Sequence, residues 1–112
     1  MLKCFQFQLI RLFAQKSRRI SNGTAWTLFN KQKCKCALSG IDIMLVKETK
    51  APSTQTASLD RIDSNKGYVE DNVQWVHKDI NRMKLDLSED KFLFYCKKVT
   101  EYNESIKKVY KE

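Results

Sequence analysis

The chain has 112 residues, with 21 Lys and Arg against 13 Asp and Glu, one His, four Cys and a formal net charge of +8. That length allows one domain with a modest core, and 42% hydrophobic with 30% charged residues excludes a disordered chain. Three Gly and one Pro exclude collagen-like and low-complexity classes, and no uncharged apolar run reaches the roughly eighteen residues of a membrane span, so no membrane partner is expected.

The charge is unevenly placed. Residues 1–56 carry ten basic and two acidic residues, whereas residues 57–112 carry eleven of each. A basic half attracts polyanions, nucleic acid first among them. The plainer alternative is a Lys-rich surface that keeps the chain in solution. The cysteines, Cys4, Cys34, Cys36 and Cys96, do not have the spacing of a disulfide-stapled mini-domain. Free thiols in a reducing, cytoplasmic setting are expected, with Cys36 and Cys96 as small core residues.

In chain order, residues 1–20 predict a basic amphipathic helix with Leu2, Phe5, Leu9, Leu12 and Phe13 on one face. Its lack of acids also fits a mitochondrial address tag; packing on the domain is the preferred expectation. The first domain boundary is set at residue 23. Ser21-Asn22-Gly23 then caps a short helix over about 24–32, anchored by Trp26, Leu28 and Phe29. Residues 33–40 predict a turn, 41–46 a β-prone run and 47–57 an exposed loop. A short strand follows over 57–63, then a turn at Ser64-Asn65-Lys66-Gly67 and a second stretch opening at Tyr68. A helix is predicted over about 73–84, and a last one, N-capped by Ser88, over about 89–110. In the last, Phe92, Tyr95, Cys96, Val99, Tyr102, Ile106 and Val109 recur at helical spacing.

The stretch 57–84 carries the chemistry. A strand–turn–strand–helix layout brings a strand carboxylate, Asp60, towards a helix amide, Asn81. Both offer hard oxygen donors of the kind Mg²⁺ takes, leaving positions open for water and a phosphate.

These residues resemble a known family. Lys35-Cys36-Ala37-Leu38-Ser39-Gly40, Leu59-Asp60-Arg61-Ile62-Asp63-Ser64, Lys66-Gly67-Tyr68, Asn72-Val73-Gln74-Trp75-Val76 and Asp79-Ile80-Asn81-Arg82-Met83-Lys84 together are similar to the HNH endonucleases. The likeness is to the phage and bacterial branch with an Asp-Arg-Ile-Asp first motif, and it covers about residues 24–100. It implies an α+β fold: a ββα-metal core over about 57–84 within a nuclease domain spanning 24–112, flanked by N-terminal helices and a long C-terminal helix. It implies metal-dependent hydrolysis of DNA phosphodiester bonds, with Mg²⁺ (or Mn²⁺) as cofactor and DNA as partner. By the same resemblance Asp60 and Asn81 hold the metal, and Asn72 ties down the loop between strand and helix. Arg61, Lys66, Lys78, Arg82 and Lys84 are the expected DNA contacts, each an ordinary surface base on the plainer view. Lys31, Lys33 and Lys35 are further candidates.

Two departures from the family matter. The family's second first-motif residue is a His acting as general base, and here it is Arg61. A guanidinium accepts no proton at ordinary pH, although it clamps a phosphate well. His77, the chain's one His, is the substitute candidate, four residues before Asn81 on the predicted helix. Its alternative role is a structural hydrogen bond. Many relatives also carry two Cys pairs for structural zinc, but the corresponding positions here are Cys36, Ser39, His77 and Ile80, so Zn²⁺ is not expected.

A catalytically weakened HNH scaffold that only binds nucleic acid is the second reading. A basic structural or mitochondrial protein is the third. Monomer and homodimer are both left open.

Overall fold

A computed structural model describes residues 20–45 and 55–110. The expected helix over 1–20 and most of the loop over 47–57 lie outside those residues. The fold is α+β, a two-stranded antiparallel sheet with three helices among the described residues. In order they are α1 (Asn22–Lys31), β1 (Ala57–Arg61), a single 3-10 turn at Glu70–Asn72, β2 (Val73–His77), α2 (Lys78–Lys84) and α3 (Glu89–Tyr110). No helix among them is long and apolar enough to cross a membrane.

Ser21 starts α1 by accepting the Thr24 N–H on its Oγ at 3.0 Å, which satisfies one of the orphan donors of a first helical turn. The helix then lays Ala25 and Phe29 into the core, where Phe29 meets the Trp75 ring edge-on at 5.8 Å. Trp75 also donates its indole N–H to the Ala25 carbonyl at 2.9 Å.

The 41–46 run does not form a strand in its described part. Lys35 and Asp42 make one isolated bridge, and Ile43 and Leu45 reach the core without a ladder. Strand β1 is also shorter than expected, ending at Arg61.

The larger correction is at residues 73–84, of which the first five are strand. Arg61 pairs with Val73, Leu59 with Trp75 and Ala57 with His77, so the backbone stays extended through His77, and only Lys78–Lys84 is helical. Glu70-Asp71-Asn72, which precede the predicted helix, make a single 3-10 turn. The outer edge of β2 is covered as well. The Gln32 side chain accepts the Trp75 N–H and donates to the Trp75 carbonyl, both at 2.9 Å. Ala37 N–H reaches the same carbonyl. An edge strand with its polar groups filled offers no template to another chain.

Helix α3 has the predicted bounds, but its stripe does not pack as a core. Phe92 is buried, while Tyr95, Val99 and Tyr102 are exposed and Cys96 is only half-buried. Cys36 is buried in the main core. Cys36 and Cys96 are free thiols, whereas Cys34 is disulfide-bonded, contrary to the expectation of free thiols throughout.

Candidate functional site

Strand alternation divides β1 into two faces. Ala57 and Leu59 turn to the α1 side, where they meet the core. Ser58 and Asp60 turn the other way, beside Gln74 and Val76 of β2 by register. Helix α2 lies over this second face, and its Asn81 and Lys84, one turn apart, reach down to it.

Asn81 donates its Nδ2 to Ser58 Oγ at 2.7 Å and, more weakly, to the Leu59 carbonyl at 3.4 Å. Its amide oxygen is thereby turned away from those acceptors. Lys84 places Nζ 3.2 Å from Asp60 Oδ1 and 2.9 Å from the Arg61 carbonyl. The Lys84 side chain is 0% exposed and that of Asp60 4%. Gln74 fills the other carboxylate oxygen, Oδ2, at 3.0 Å, and also donates to Glu89 Oε1 at 3.1 Å. The start of α3 is thus joined to the same cluster.

Asp60 and Asn81 therefore face one another's surroundings on a single side of the sheet. Their donor set, one carboxylate and one amide oxygen, is of the hard kind that suits Mg²⁺. Lys84 acts as a tethered cation on that carboxylate. A divalent ion at Asp60 would compete with Lys84 for Oδ1 and with Gln74 for Oδ2. Among the described residues no group of three or more His, Cys, Asp or Glu is gathered for a metal.

Lys84 was expected at the DNA surface. It lies sealed under α2 instead, because a buried carboxylate needs a buried partner. Of the other basic candidates, Lys78 and Arg82 stand with Ser58, Asn81, Leu85 and Asp86 around an open concavity of about 360 Å³. Arg82 also lies 3.5 Å from Asp79. Lys66 is exposed on the loop after β1, and Lys35 is paired with Asp42 at 2.6 Å.

Arg61 does not share this face. Its Nη1 donates to the Lys66 carbonyl at 3.3 Å, and its guanidinium lies over the Tyr68 ring at 5.4 Å. The side chain thus braces the loop beyond β1.

Asn72 braces the same loop from inside. Its Oδ1 accepts the Asp63 N–H at 2.9 Å, and its Nδ2 donates to the carbonyls of Asp63 and Gly67 at 3.0 and 2.9 Å. The side chain is buried and fully used. Asp63 stabilises the turn by accepting the Asn65 N–H.

His77 is not on the helix it was expected to share with Asn81. It ends β2 and caps α2, with Nδ1 accepting the Asp79 N–H at 3.1 Å. In the neutral ring the hydrogen then sits on Nε2, so the free nitrogen donates rather than accepts. Proton abstraction by His77 requires it to give up the cap. The Cys36 thiol lies against the same corner of the fold. Burial pushes its pKa up, but the Ser39 side chain and the backbone N–H groups of His77, Leu38 and Ser39 outweigh that and hold it below the ordinary thiol value.

Ser58, Gln74 and Glu89 were not anticipated as parts of this cluster. Their signal was the two-residue alternation of Val73-Gln74-Trp75, which marks Gln74 as facing away from the core once residues 73–77 are recognised as strand. No family model, curated protein or solved structure matches the chain.

Proposed function

We propose that this chain is a metal-dependent endonuclease of the HNH type, acting on DNA phosphodiester bonds. The observation that carries the reading is the crossing of α2 over β1, where Asn81 and Lys84 meet the Ser58–Asp60 face. A ββα-metal core requires that order of elements and that side of the sheet. The closed loop held by Asn72 supports it further.

On this reading Asp60 and Asn81 hold a Mg²⁺ or Mn²⁺ ion by a carboxylate and an amide oxygen. The ion supplies Lewis-acid stabilisation of the charge that builds on the phosphoryl group and leaving oxygen. Ser58 keeps the Asn81 amide oriented. Lys84 and Gln74 hold the Asp60 carboxylate in place. Lys78 and Arg82 bind the backbone phosphates beside the site, with Lys66 as an outlying contact. His77 donates from Nε2 while its cap is intact, and Arg61 acts on the loop rather than on the scissile phosphate.

The test is plasmid nicking with Mg²⁺ or Mn²⁺ against chelator, comparing the wild type with Asp60→Asn and Asn81→Ala. Metal-dependent nicking lost in both variants supports the reading. Metal-independent nicking, or nicking unchanged in either variant, defeats it.

A second reading is a nucleic-acid-binding scaffold without cleavage. The specific observation in its favour is that both Asp60 oxygens are already filled, by Lys84 and Gln74. DNA binding that persists in chelator, with no nicking at any metal concentration, selects it.

A further inference from the structure

The turn that follows α2 holds a leucine where the backbone favours glycine. The Lys84 carbonyl accepts the Leu87 N–H at 3.0 Å, which closes a tight turn over residues 84–87. Leu85 is the second residue of that turn, at φ 49° and ψ −123°. These are the angles of the first central position in a type II′ turn, a left-handed position that glycine takes without strain. The turn is anchored on both sides. Lys84 is tied through its ammonium to Asp60 and to the Arg61 carbonyl, and the Asp86 carbonyl accepts the Ser64 hydroxyl at 2.9 Å. A strained residue persists where its surroundings fix it in this way, and such residues gather at functional sites. Leu85 gains little packing from its position, since it is 73% exposed.

The exposed side chain has charged neighbours. Lys78, Arg82 and Leu85 recur at steps of four and three along α2 and its C-cap. All three line the concavity that also takes in Ser58 and Asn81. Among the described residues Asp86 is the one acid lining it, and Arg82 is partly offset by Asp79 at 3.5 Å.

We propose that Leu85 is a wedge that enters the base stack of duplex DNA beside the phosphates held by Lys78 and Arg82. This role rests on the nuclease reading for its substrate, duplex DNA, and adds how the site engages it. The two cations hold the backbone, and the rigid turn drives an apolar tip between neighbouring base pairs. Leu is among the side chains that open a base step in this way, with Ile, Met, Phe and Pro. A glycine at the same position relaxes the turn but presents nothing to the bases. The wedge also gives the site a preference without hydrogen bonds to base edges. Steps that unstack readily, pyrimidine–purine steps and mismatches above all, are favoured over stiff ones.

The test uses the full chain in chelator with a set of duplexes carrying 2-aminopurine at successive steps. The fluorescence of that base rises when it unstacks, and anisotropy follows binding separately. The wild type is expected to bind and to raise the fluorescence. Leu85→Gly is expected to bind within about tenfold of the wild type, because the unstacking it avoids offsets the apolar contact it lacks. It is expected to lose the fluorescence rise without a lower melting temperature, whereas Leu85→Met keeps the rise. With Mg²⁺ or Mn²⁺, Leu85→Gly is expected to nick an intact duplex at least about tenfold more slowly, and a mismatched duplex at close to the wild-type rate. A wild type that binds and nicks with unchanged fluorescence overturns the wedge and leaves the nuclease reading standing. A rise that survives Leu85→Gly also overturns the wedge. A rise lost in that variant, with no nicking at any metal concentration, supports the wedge and overturns the nuclease. Neither binding nor nicking overturns both.

Discussion

Lys84 Nζ lies 3.2 Å from Asp60 Oδ1, with both side chains withdrawn from water under the same helix. A lone buried charge costs several kcal/mol, so each group depends on the other. Lys84→Met is expected to destabilise the fold by about 3–5 kcal/mol by leaving the Asp60 carboxylate with Gln74 alone. Adding Asp60→Asn to that variant should recover most of the loss, since no charge then remains to be matched. Urea unfolding of the two single variants and the double closes the cycle; purely additive losses would show that the pair is not coupled.

Asn72 closes the loop between the strands with three side-chain hydrogen bonds. Asn72→Ala leaves partly buried backbone groups of that loop without these partners, at a cost of about 1–3 kcal/mol. Amide exchange at Asp63 should accelerate before that of β1 itself. Unchanged protection at Asp63 would show that the loop is held by other means.

Leu85 ends α2 at φ 49° and ψ −123°, a conformation that suits glycine, while its side chain is 73% exposed. Replacing it removes strain and little packing. Leu85→Gly is expected to stabilise the chain by about 1 kcal/mol after the entropy of a more flexible unfolded chain is subtracted. Thermal unfolding reads this directly, and a lower melting temperature would contradict it.

Cys36 gives stability a pH dependence of definite sign. Its folded pKa is lowered, so the folded chain releases the thiol proton before the unfolded chain does. The contribution is complete above the ordinary thiol value and is lost as pH falls through the lowered folded value. Urea midpoints compared between wild type and Cys36→Ser should therefore diverge in favour of the wild type as pH rises across that window. A difference independent of pH would show that the hydrogen bonds from Ser39, Leu38 and His77 do not select the thiolate.

The difficulty of reading residues 73–84 from sequence has a physical origin. Val73, Trp75 and Val76 suit a buried strand or a buried helix equally, and a run this short has no length to arbitrate. The acids and Asn72 before it imitate a helix start. Extended pairing with β1, and the cover Gln32 gives to the other edge, outweigh that local signal. His77 consequently caps α2 from the end of a strand rather than sharing a helix face with Asn81.

By itself the sequence determined those features whose interactions close within a few residues: the Ser21 cap and α1, the turn at Asp63–Lys66, the bounds of α3, and the α+β mixture. Its Asp60, Asn72 and Asn81 marked where polar groups would gather. Only the tertiary structure decided that Gln74 and Lys84, rather than solvent, meet the Asp60 carboxylate, and that Arg61 turns to Tyr68. Those outcomes depend on strand pairing and on the desolvation that follows when α2 closes over β1. At Asp60 both bring together groups separated by more than a dozen residues, 14 to Gln74 and 24 to Lys84, whose distance and burial no local pattern encodes.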